Sequence, residues 1–142
     1  MSLNVLVVDD SSVMRSIITK TLRISGLPIG DVYQASNGLE GLDVLKNNWI
    51  DVALIDINMP EMNGIEMIDA IRRDEETASL PILVVSTESS ETQIEALRRK
   101  GVEFIHKPFA PEILREAVSR ITGVSNDEGF ECGTLPDSSD SF

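Results

Sequence analysis

The sequence predicts an α/β fold of the (βα)5 type, a doubly wound parallel sheet of five strands. Five short apolar runs rich in β-branched residues alternate along the chain with five amphipathic helical patterns. At least the first, third and fourth runs are apolar without alternation, which is typical of strands covered by helices on both faces. This alternation indicates an open parallel sheet with right-handed crossovers.

The predicted strands are the five apolar runs. They span residues 5–8, 32–35, 52–55, 82–85 and 102–105. The longest of these purely apolar stretches is four or five residues, whereas a membrane-spanning helix needs about 20. No basic segment followed by a hydrophobic run opens the chain, so no secretory signal is visible. We therefore expect a cytoplasmic protein that has no membrane partner.

The first and last predicted helices carry signals at their ends. The first spans residues 13–25, with Ser11 or Ser12 as its cap and Gly26 where a left-handed residue is favoured. The last has Pro111 in its first turn and ends at Gly123. Helical spacing predicts their core faces, formed by Met14, Ile17, Ile18 and Leu22 in the first and by Ile113, Leu114, Ala117, Val118 and Ile121 in the last.

The three middle helices each begin with a pair of residues that predicts a capping box. The pairs are Asn37 with Glu40, Asn63 with Glu66, and Ser90 with Gln93. Their predicted inward residues are Leu42 and Leu45, then Ile68 and Ile71, then Ile94 and Leu97, the fourth helix ending at Gly101. Every apolar run is thus followed by a helix with a defined start.

Composition and charge divide the chain into a body and a tail. The 142 residues are 42% hydrophobic and 25% charged, as in a globular domain with a real core. Of the 24 acids, five lie in residues 124–142, which hold no base, so the body carries −7 and the tail −5. We expect one folded domain over 1–123 and an acidic, disordered tail over 124–142, which is too short to form a further domain.

The negative charge and the single cysteine exclude several functions. DNA and anionic lipid bind through basic side chains that neutralise phosphates, and both parts of this chain are acidic. We therefore expect no nucleic-acid partner. One cysteine excludes an internal disulfide and a thiolate metal cluster, which agrees with a reducing compartment.

Polar side chains follow four of the five predicted strands. Asp9 and Asp10 follow the first, Asp56 the third, Ser86 the fourth and Lys107 the fifth. Ligands of such sheets bind beyond the carboxyl ends of the strands, so we expect these side chains to converge. Crowded carboxylates repel one another unless a cation is present, and oxygen ligands of this kind suit Mg²⁺, with Mn²⁺ as a possible substitute.

The same group of side chains suits a phosphoryl group. A cation, the Lys107 ammonium and the Ser86 hydroxyl around a carboxylate can hold the charge that spreads over a transferred phosphoryl group. A carboxylate can itself be the nucleophile and form an acyl phosphate. Each element alone is weak, since a pair of aspartates after a strand is most often a helix entry or a solvated turn. The combination on four strand ends is the informative signal.

Four segments resemble the motifs of the response-regulator receiver domain, in order and over residues 4 to 122. They are Val7-Val8-Asp9-Asp10-Ser11-Ser12, Asp56-Ile57-Asn58-Met59-Pro60-Glu61-Met62-Asn63-Gly64, Val85-Ser86-Thr87-Glu88 and Lys107-Pro108-Phe109. Within that family the sequence is most similar to single-domain chemotaxis regulators. The resemblance implies a flavodoxin-like fold and a signalling protein rather than an enzyme, beyond its own phosphorylation and autodephosphorylation.

The resemblance also implies a role for each matched residue. Asp56 is the phosphorylated aspartate. Asp10 and Asp56 bind Mg²⁺ directly, Asp9 binds it through water, and Asn58 binds it through its backbone carbonyl. The phosphate-binding and switch residues are Ser86, the backbone of Thr87, Lys107 and the aromatic Phe104, which lacks the hydroxyl that many chemotaxis regulators carry there. The Lys107-Pro108 bond is implied to be cis.

Two flanking residues are implied to set how long the phosphorylated state lasts. Asn58 and Glu88 lie two residues beyond Asp56 and Ser86, where their side chains overhang the path of the attacking water. Both are polar and neither is bulky, so we expect rapid loss of the phosphoryl group.

The implied partners are a histidine kinase that donates the phosphoryl group and a target protein, and a phosphatase is a further candidate partner. The target is expected to bind the face formed by the fourth helix, the fifth strand and the fifth helix. A stand-alone regulator of chemotaxis is the first hypothesis, and a phosphorelay carrier or an adaptor in another pathway shares every motif. His106, the only histidine, is expected to be structural or on the surface, and Trp49 to lie at the opposite end of the sheet from Asp56.

Two functions from other classes fit less well. A phosphohydrolase with an aspartate nucleophile needs a second aspartate two residues further on, where this chain has Asn58. A nucleotide-binding module needs a glycine-rich phosphate loop, and Asp9 and Asp10 stand where its glycines would be required.

Overall fold

The computed structural model describes residues 2–57, 59, 62–87, 91–107 and 109–123, in which five strands alternate with five helices. The strands are β1 (Leu3–Val8), β2 (Ile29–Ala35), β3 (Val52–Ile55), β4 (Ile82–Ser86) and β5 (Glu103–His106). The helices are α1 (Ser12–Ile24), α2 (Gly38–Asn47), α3 (Gly64–Arg73), α4 (Glu91–Arg98) and α5 (Pro111–Thr122). In the described part of the chain, no helix has both the length and the apolar character needed to cross a membrane.

The strands form one parallel sheet in the order β2-β1-β3-β4-β5. The strand order changes direction at β1, which lies between β2 and β3. Val8, the last residue of β1, pairs with Ala35 of β2 and with Ile55 of β3, so three strands end level with one another. The predicted (βα)5 flavodoxin-like fold is confirmed, and its switch point lies beside the carboxyl end of β1.

Helices cover both faces of the sheet, which explains why the strands are apolar without alternation. Leu6 and Val8 of β1 face one layer, together with residues of α3 and α4. Val5 and Val7 of the same strand face the other layer, with residues of α1 and α5. Because both faces of β1 are buried, every residue from Val5 to Val8 is apolar.

The predicted helix caps are present where the structure describes them, with one difference. The Ser11 hydroxyl accepts a hydrogen bond from the Met14 amide, and Asn63 and Glu66 form a complete capping box. At α2, Asn37 accepts from the Glu40 amide as predicted, but the Glu40 carboxylate accepts from the backbone N–H and hydroxyl of Ser36 instead of the Asn37 amide. These bonds from Ser36 lower the pKa of Glu40. Ser90, the predicted cap of α4, lies outside the described residues.

The prediction that two residues face the core is wrong. Ile17 of α1 and Ile113 of α5 are each 47% exposed, whereas Ile18 and Leu114 directly after them are buried. Successive helical residues are about 100° apart, so the residue before a buried one points to the side of the helix. The apolar pattern of α1 and α5 was wider than the face that the sheet covers.

Four strands differ from their predicted boundaries, and two of the differences are small: β1 begins at Leu3 rather than residue 5, and β4 ends at Ser86 rather than residue 85. β2 begins at Ile29 rather than residue 32, because it is an edge strand whose first half is only partly buried and therefore not an apolar run. β5 spans Glu103–His106, one residue later than predicted, since Glu103 pairs with Leu83 despite its charge.

Arg72 ties α3 to the end of the sheet opposite the carboxyl ends of the strands. Its guanidinium donates to the backbone carbonyls of Ala78 and Leu80 at 3.0 and 2.8 Å. It also donates to the carbonyls of Lys100 and Gly101 at 2.9 and 3.1 Å. Burial lowers the pKa of Arg72. One side chain thus joins the segments that lead into β4 and β5.

Candidate functional site

Two carboxylates lie side by side at the carboxyl edge of the sheet. Asp9 directly follows β1 and Asp56 directly follows β3, and these strands are paired neighbours. The Asp56 amide donates to the Val8 carbonyl at 2.9 Å, and the Asp9 amide donates to the Ala35 carbonyl at 3.1 Å. Both backbones are therefore held by the sheet, and their side chains have little freedom to separate.

Asp10 completes a cluster of three carboxylates. One oxygen from each of Asp9, Asp10 and Asp56 lies within 4.8 Å of the others. Asp9 is 1% exposed and Asp56 is 9% exposed, while Asp10 is at the surface. A hard divalent cation with oxygen ligands fits this group, because it would offset the repulsion among the carboxylates.

Lys107 approaches the cluster from the end of β5. Its Nζ lies 2.9 Å from Asp9 Oδ2 and 3.8 Å from Asp56 Oδ1. The Lys107 amide donates to the Ser86 carbonyl at 3.0 Å, which continues the pairing of β5 with β4. The lysine therefore supplies a positive charge from a fixed backbone position to both buried carboxylates.

The surroundings of Asp56 disfavour its charged form. Its pKa is raised, first because the side chain is buried and further because the Asp9 carboxylate is close. Lys107, the Ile57 amide and a hydrogen bond with Ser86 act in the opposite direction. The Ile57 amide donates to Asp56 Oδ1 at 2.9 Å. Burial outweighs these stabilising contacts, so the ionised carboxylate is poorly compensated in the absence of a cation.

Asp9 has both oxygens engaged within the protein. The Ser11 amide donates to Oδ1 at 2.9 Å and Lys107 Nζ donates to Oδ2 at 2.9 Å. Asp10, by contrast, is exposed and free of such bonds among the described residues. The cluster thus contains one fixed carboxylate, one half-fixed carboxylate and one exposed carboxylate.

The remaining predicted residues lie beside the cluster or outside the described residues. Ser86 is fully buried at the end of β4 and Thr87 after it is exposed. Phe104 is 6% exposed and belongs to the same apolar cluster as Ile94 and Leu97 of α4. The predicted positions Asn58, Glu88 and Pro108 are not among the residues that the structure describes.

Two other predicted residues are where the sequence placed them. His106 is on the surface at the end of β5, with its ring edge-on to Phe104 and 4.9 Å between ring centroids. Trp49 is 77% exposed and precedes β3, whereas Asp56 follows it, so the two lie at opposite ends of the strand.

Arg15 also contributes to the site, although the sequence patterns do not predict it. Its NH1 donates to the Asp9 carbonyl at 2.6 Å, and its Nε donates to the Gln34 side chain at 3.0 Å. The arginine therefore clamps the end of β1 to the end of β2. Its position one turn into α1 is the only sequence signal, and a surface arginine there is common.

Gly64 is the second residue that the sequence analysis did not single out for the site. A Cβ at Gly64 would lie 2.3 Å from the Asp56 carbonyl oxygen and 2.8 Å from the Ile57 Cα. The Gly64 amide donates to the Ile57 carbonyl at 2.8 Å. The first residue of α3 thus packs directly on the backbone that carries Asp56, and only glycine leaves room for this approach.

We expect Gly64→Ala to destabilise the protein by about 1–3 kcal/mol, because backbone atoms must move to admit the methyl group. Gly41→Ala is the matched control, since its Cβ would meet the flexible end of Met67 at 2.5 Å. Urea unfolding measures both variants. Equal losses for the two substitutions would contradict the argument that the Asp56 backbone makes Gly64 necessary.

We expect Asp56→Asn to stabilise the metal-free protein by about 1 kcal/mol, or a few degrees in Tm, because it removes a poorly compensated buried charge. A carboxyl whose pKa is raised on folding destabilises the fold above its unfolded pKa, so the gain should vanish as the pH falls below about 4. Excess Mg²⁺ should raise the Tm of the wild type more than that of the variant.

Thermal unfolding with EDTA and with Mg²⁺ measures both effects. Asp43→Asn, at an exposed position of α2, is the control and should change neither value. A lower Tm for metal-free Asp56→Asn than for the wild type would show that the carboxylate stabilises the fold by itself.

Comparison with known proteins agrees with this geometry. The family model for the response regulator receiver domain matches residues 5–119. The chain is 40% identical over 129 residues to the chemotaxis protein CheY homolog of Campylobacter jejuni, covering 89% of this chain and 98% of that protein. It is 38% identical over 126 residues to the chemotaxis protein CheY1 of Helicobacter pylori, covering 87% of this chain and 100% of that protein.

The fold of this chain is also similar to that of a solved structure. The chemotaxis protein CheY4 of Vibrio cholerae superposes with a TM-score of 0.76 at 33% identity, covering 85% of this chain and 99% of that chain. CheY-like receiver domains are signalling proteins that interact with histidine kinases and target proteins, and they bind a divalent metal at an acidic pocket. The chain belongs to the response regulator receiver family and is CheY-like.

Proposed function

We propose that the chain is a stand-alone response regulator that accepts a phosphoryl group on Asp56 from a histidine kinase and acts in chemotaxis or motility signalling. The observation that carries the proposal is the position of the Asp56 carboxylate, within 4.8 Å of two others and 3.8 Å from Lys107 Nζ. Its output is a change in protein–protein binding, and it acts in the cytoplasm. Its own chemistry is limited to accepting and losing the phosphoryl group.

The transfer needs an exposed path to a carboxylate oxygen of Asp56. That oxygen attacks the phosphorus of a phosphohistidine, a P–O bond forms, and the P–N bond to the kinase imidazole breaks. Lys107 is placed to pair with the new phosphoryl oxygens, and the Ser86 hydroxyl can donate to them. Mg²⁺, when bound, neutralises charge that develops on the phosphoryl group. Hydrolysis of the acyl phosphate returns the free carboxylate.

We assign the metal ligands from the different engagement of the three carboxylates. Both oxygens of Asp9 already accept hydrogen bonds, which supports its binding the ion through water. Asp10 is exposed, and burial together with the nearby Asp9 carboxylate leaves the charge of Asp56 poorly compensated, which supports both as direct ligands. The backbone carbonyl of Asn58 is the third direct protein ligand in this proposal. Mg²⁺ is the proposed ion, with Mn²⁺ as a substitute.

Signalling requires that the site be coupled to a surface. Ser86 and Lys107 flank Asp56 and would both meet a phosphoryl group, with the Thr87 amide as a further donor. Phe104, on the strand beside Ser86, packs in the same cluster as Ile94 and Leu97 of α4. A shift of Ser86 would therefore change the packing of Phe104 against α4. This coupling supports the α4-β5-α5 face as the surface that binds the target.

A phosphorelay carrier, or an adaptor in another pathway, is the second candidate. Phe104 favours it, because this side chain is buried and has no hydroxyl to offer a target protein. Asn58 and Glu88 favour the chemotaxis function instead, because they are expected to give a short-lived phosphorylated state, which suits rapid motility signalling. A phosphatase partner would shorten that lifetime further. A long-lived state would favour the carrier.

The first test is labelling by a small phosphodonor such as acetyl phosphate in the presence of Mg²⁺. We expect one phosphoryl group per wild-type chain, none on Asp56→Asn, and weak labelling of Asp10→Ala because its metal binding is impaired. Asp43→Asn should be labelled like the wild type. Undiminished labelling of Asp56→Asn would refute the acceptor assignment.

The lifetime of the phosphorylated state is tested by its decay after the donor is removed. We expect the phosphorylated wild type to decay faster than the double variant Asn58→Met with Glu88→Leu. Equal decay rates would contradict the short lifetime.

The second test concerns transmission through Lys107. We expect Lys107→Ala to accept a phosphoryl mimic and yet show none of the change in amide exchange that α4 shows in the wild type. The mimic would still bind the metal and Asp56, but the contact that joins it to β5 would be lost. Lys100→Ala removes a lysine that pairs with Asp69 instead, and it should respond like the wild type. A full response of α4 in Lys107→Ala would refute the role of this lysine.

A further inference from the structure

A basic groove lies at the end of the sheet opposite the three aspartates. We call it the basal groove and define it by Arg72, residues 78–81, residues 99–101 and Ile121. Its volume is about 550 Å³. Pro81 precedes β4 and Gly101 precedes β5, so the groove runs beneath the amino ends of these strands. Nothing in the proposed phosphoryl chemistry uses it.

The basal groove has positive charge that the protein does not offset. Arg72, Arg99 and Lys100 line it, and no acid is among its described lining residues. Lys100 pairs with Asp69 at 2.7 Å, but Arg72 donates only to backbone carbonyls, which carry no net charge. Arg99 is exposed and makes no ion pair within the part of the chain that the structure describes. Two arginines are therefore left to attract an anion.

The chain leaves the fold at the rim of this groove. Ile121 lines the basal groove, and α5 ends one residue later with Gly123 in the left-handed conformation. Residues 124–142 follow, with five acids and no base. Asp127 is six residues beyond Ile121 and can extend at most about 20 Å from it, a span that easily covers the groove. The acidic segment 124–142 therefore begins close to the arginines of the basal groove.

A second groove, with both apolar and polar lining residues, adjoins the basal groove. It shares Ser79, Leu80 and Pro81 with it, has a volume of about 750 Å³, and is also lined by Leu45 and Trp49. The 77% exposed Trp49 is the only tryptophan of the chain. Residues 124–142 carry Phe130 and Leu135 among their acids. Apolar side chains of the segment therefore have a surface to contact beyond the arginines.

We propose that the basal groove binds the acidic segment 124–142 of the same chain, with Asp127, Glu128 and Glu131 toward Arg72 and Arg99. The covalent link raises the local concentration of the segment into the millimolar range, so weak surface contacts suffice. The proposal does not depend on phosphoryl transfer, since it concerns the other end of the molecule. It makes the segment a partner of the domain rather than a free extension.

The single cysteine allows a direct test in the full chain. A nitroxide on Cys132 broadens the amide resonances of residues near it, and a diamagnetic analogue at the same position is the reference. At low salt we expect strong broadening at residues 78–81 and 99–101 and at the Trp49 indole. Residues near Val13 and near Asp10, far from the basal groove, should be unaffected. The broadening should fall at least about two-fold in 1 M NaCl, where the Debye length is about 3 Å.

Charge variants separate the proposed contact from chance proximity. Asp127→Asn with Glu128→Gln and Glu131→Gln, and separately Arg99→Glu, should each reduce the broadening at least about two-fold. Lys20→Glu is the matched control, because Lys20 is an exposed cation of α1 that does not line the basal groove. Its broadening should equal that of the wild type.

Three outcomes would overturn the proposal. One is weak broadening spread evenly over the surface, which would show an unbound segment. Another is broadening that Arg99→Glu leaves intact. The third is broadening of an isotopically enriched, unlabelled Cys132→Ser chain mixed with a spin-labelled, unenriched chain, which would assign the contact to a second copy. Unchanged amide spectra away from the groove would show that each variant is folded.

Discussion

Parallel pairing of β1 with β3 places the carboxylates of Asp9 and Asp56 side by side at a largely buried edge, and the rest of the structure accommodates their repulsion. Lys107 lies 2.9 Å from Asp9 and 3.8 Å from Asp56, so a single ammonium group serves both. It offsets the charge of Asp9 more fully than that of Asp56. The incomplete compensation at Asp56 makes this edge receptive to a cation, and in the proposed function it also favours conversion of the carboxylate into an acyl phosphate, which is a mixed anhydride.

The backbone around the site is rigid for the same reason that the site is crowded. The amides of Asp9 and Asp56 continue the sheet, and Arg15 joins the ends of β1 and β2. Gly64 brings the start of α3 against the Asp56 carbonyl, and the capping box of Asn63 fixes that helix end. These contacts fix the backbone positions of Asp9 and Asp56, so a partner group is needed to offset the repulsion between their carboxylates.

The helix dipoles all point the same way along the sheet. Because each crossover helix runs antiparallel to the strands, its amino end faces the edge with the aspartates and its carboxyl end faces away. Four helices have an acid in the first turn, and all five have a base in the last turn. This placement complements the helix dipoles. It also concentrates cations such as Arg72 and Arg99 at the end of the sheet where the acidic segment begins.

The sequence alone determined the fold class, four of the five helix starts and the identity of the side chains that follow each strand. The hydrophobic period, the capping pairs and the residues at strand ends are local signals. Because the carboxyl ends of parallel strands lie at the same edge of the sheet, the residues that follow the strands are brought together there. The sequence could not show that β2 extends back to Ile29, because a half-buried edge strand has no continuous apolar run. Nor could it show that Ile17 and Ile113 are exposed. How much of a helix surface is buried depends on the sheet and the helices packed against it, and not on the helix sequence alone.

Only the tertiary structure decided the distances and the long-range partners. Asp9 and Lys107 are 98 positions apart along the chain, and nothing in the sequence specifies the 2.9 Å distance of their ion pair. Two of the four carbonyls around Arg72 likewise lie 28 and 29 positions away along the chain. The close approach of Gly64 to the Asp56 backbone also depends on how α3 packs against the end of β3. Local patterns specify elements and the chemistry they carry. Which of those groups meet, and how completely their charges are offset, depends on packing between elements, and that is fixed only when the sheet and its helices assemble.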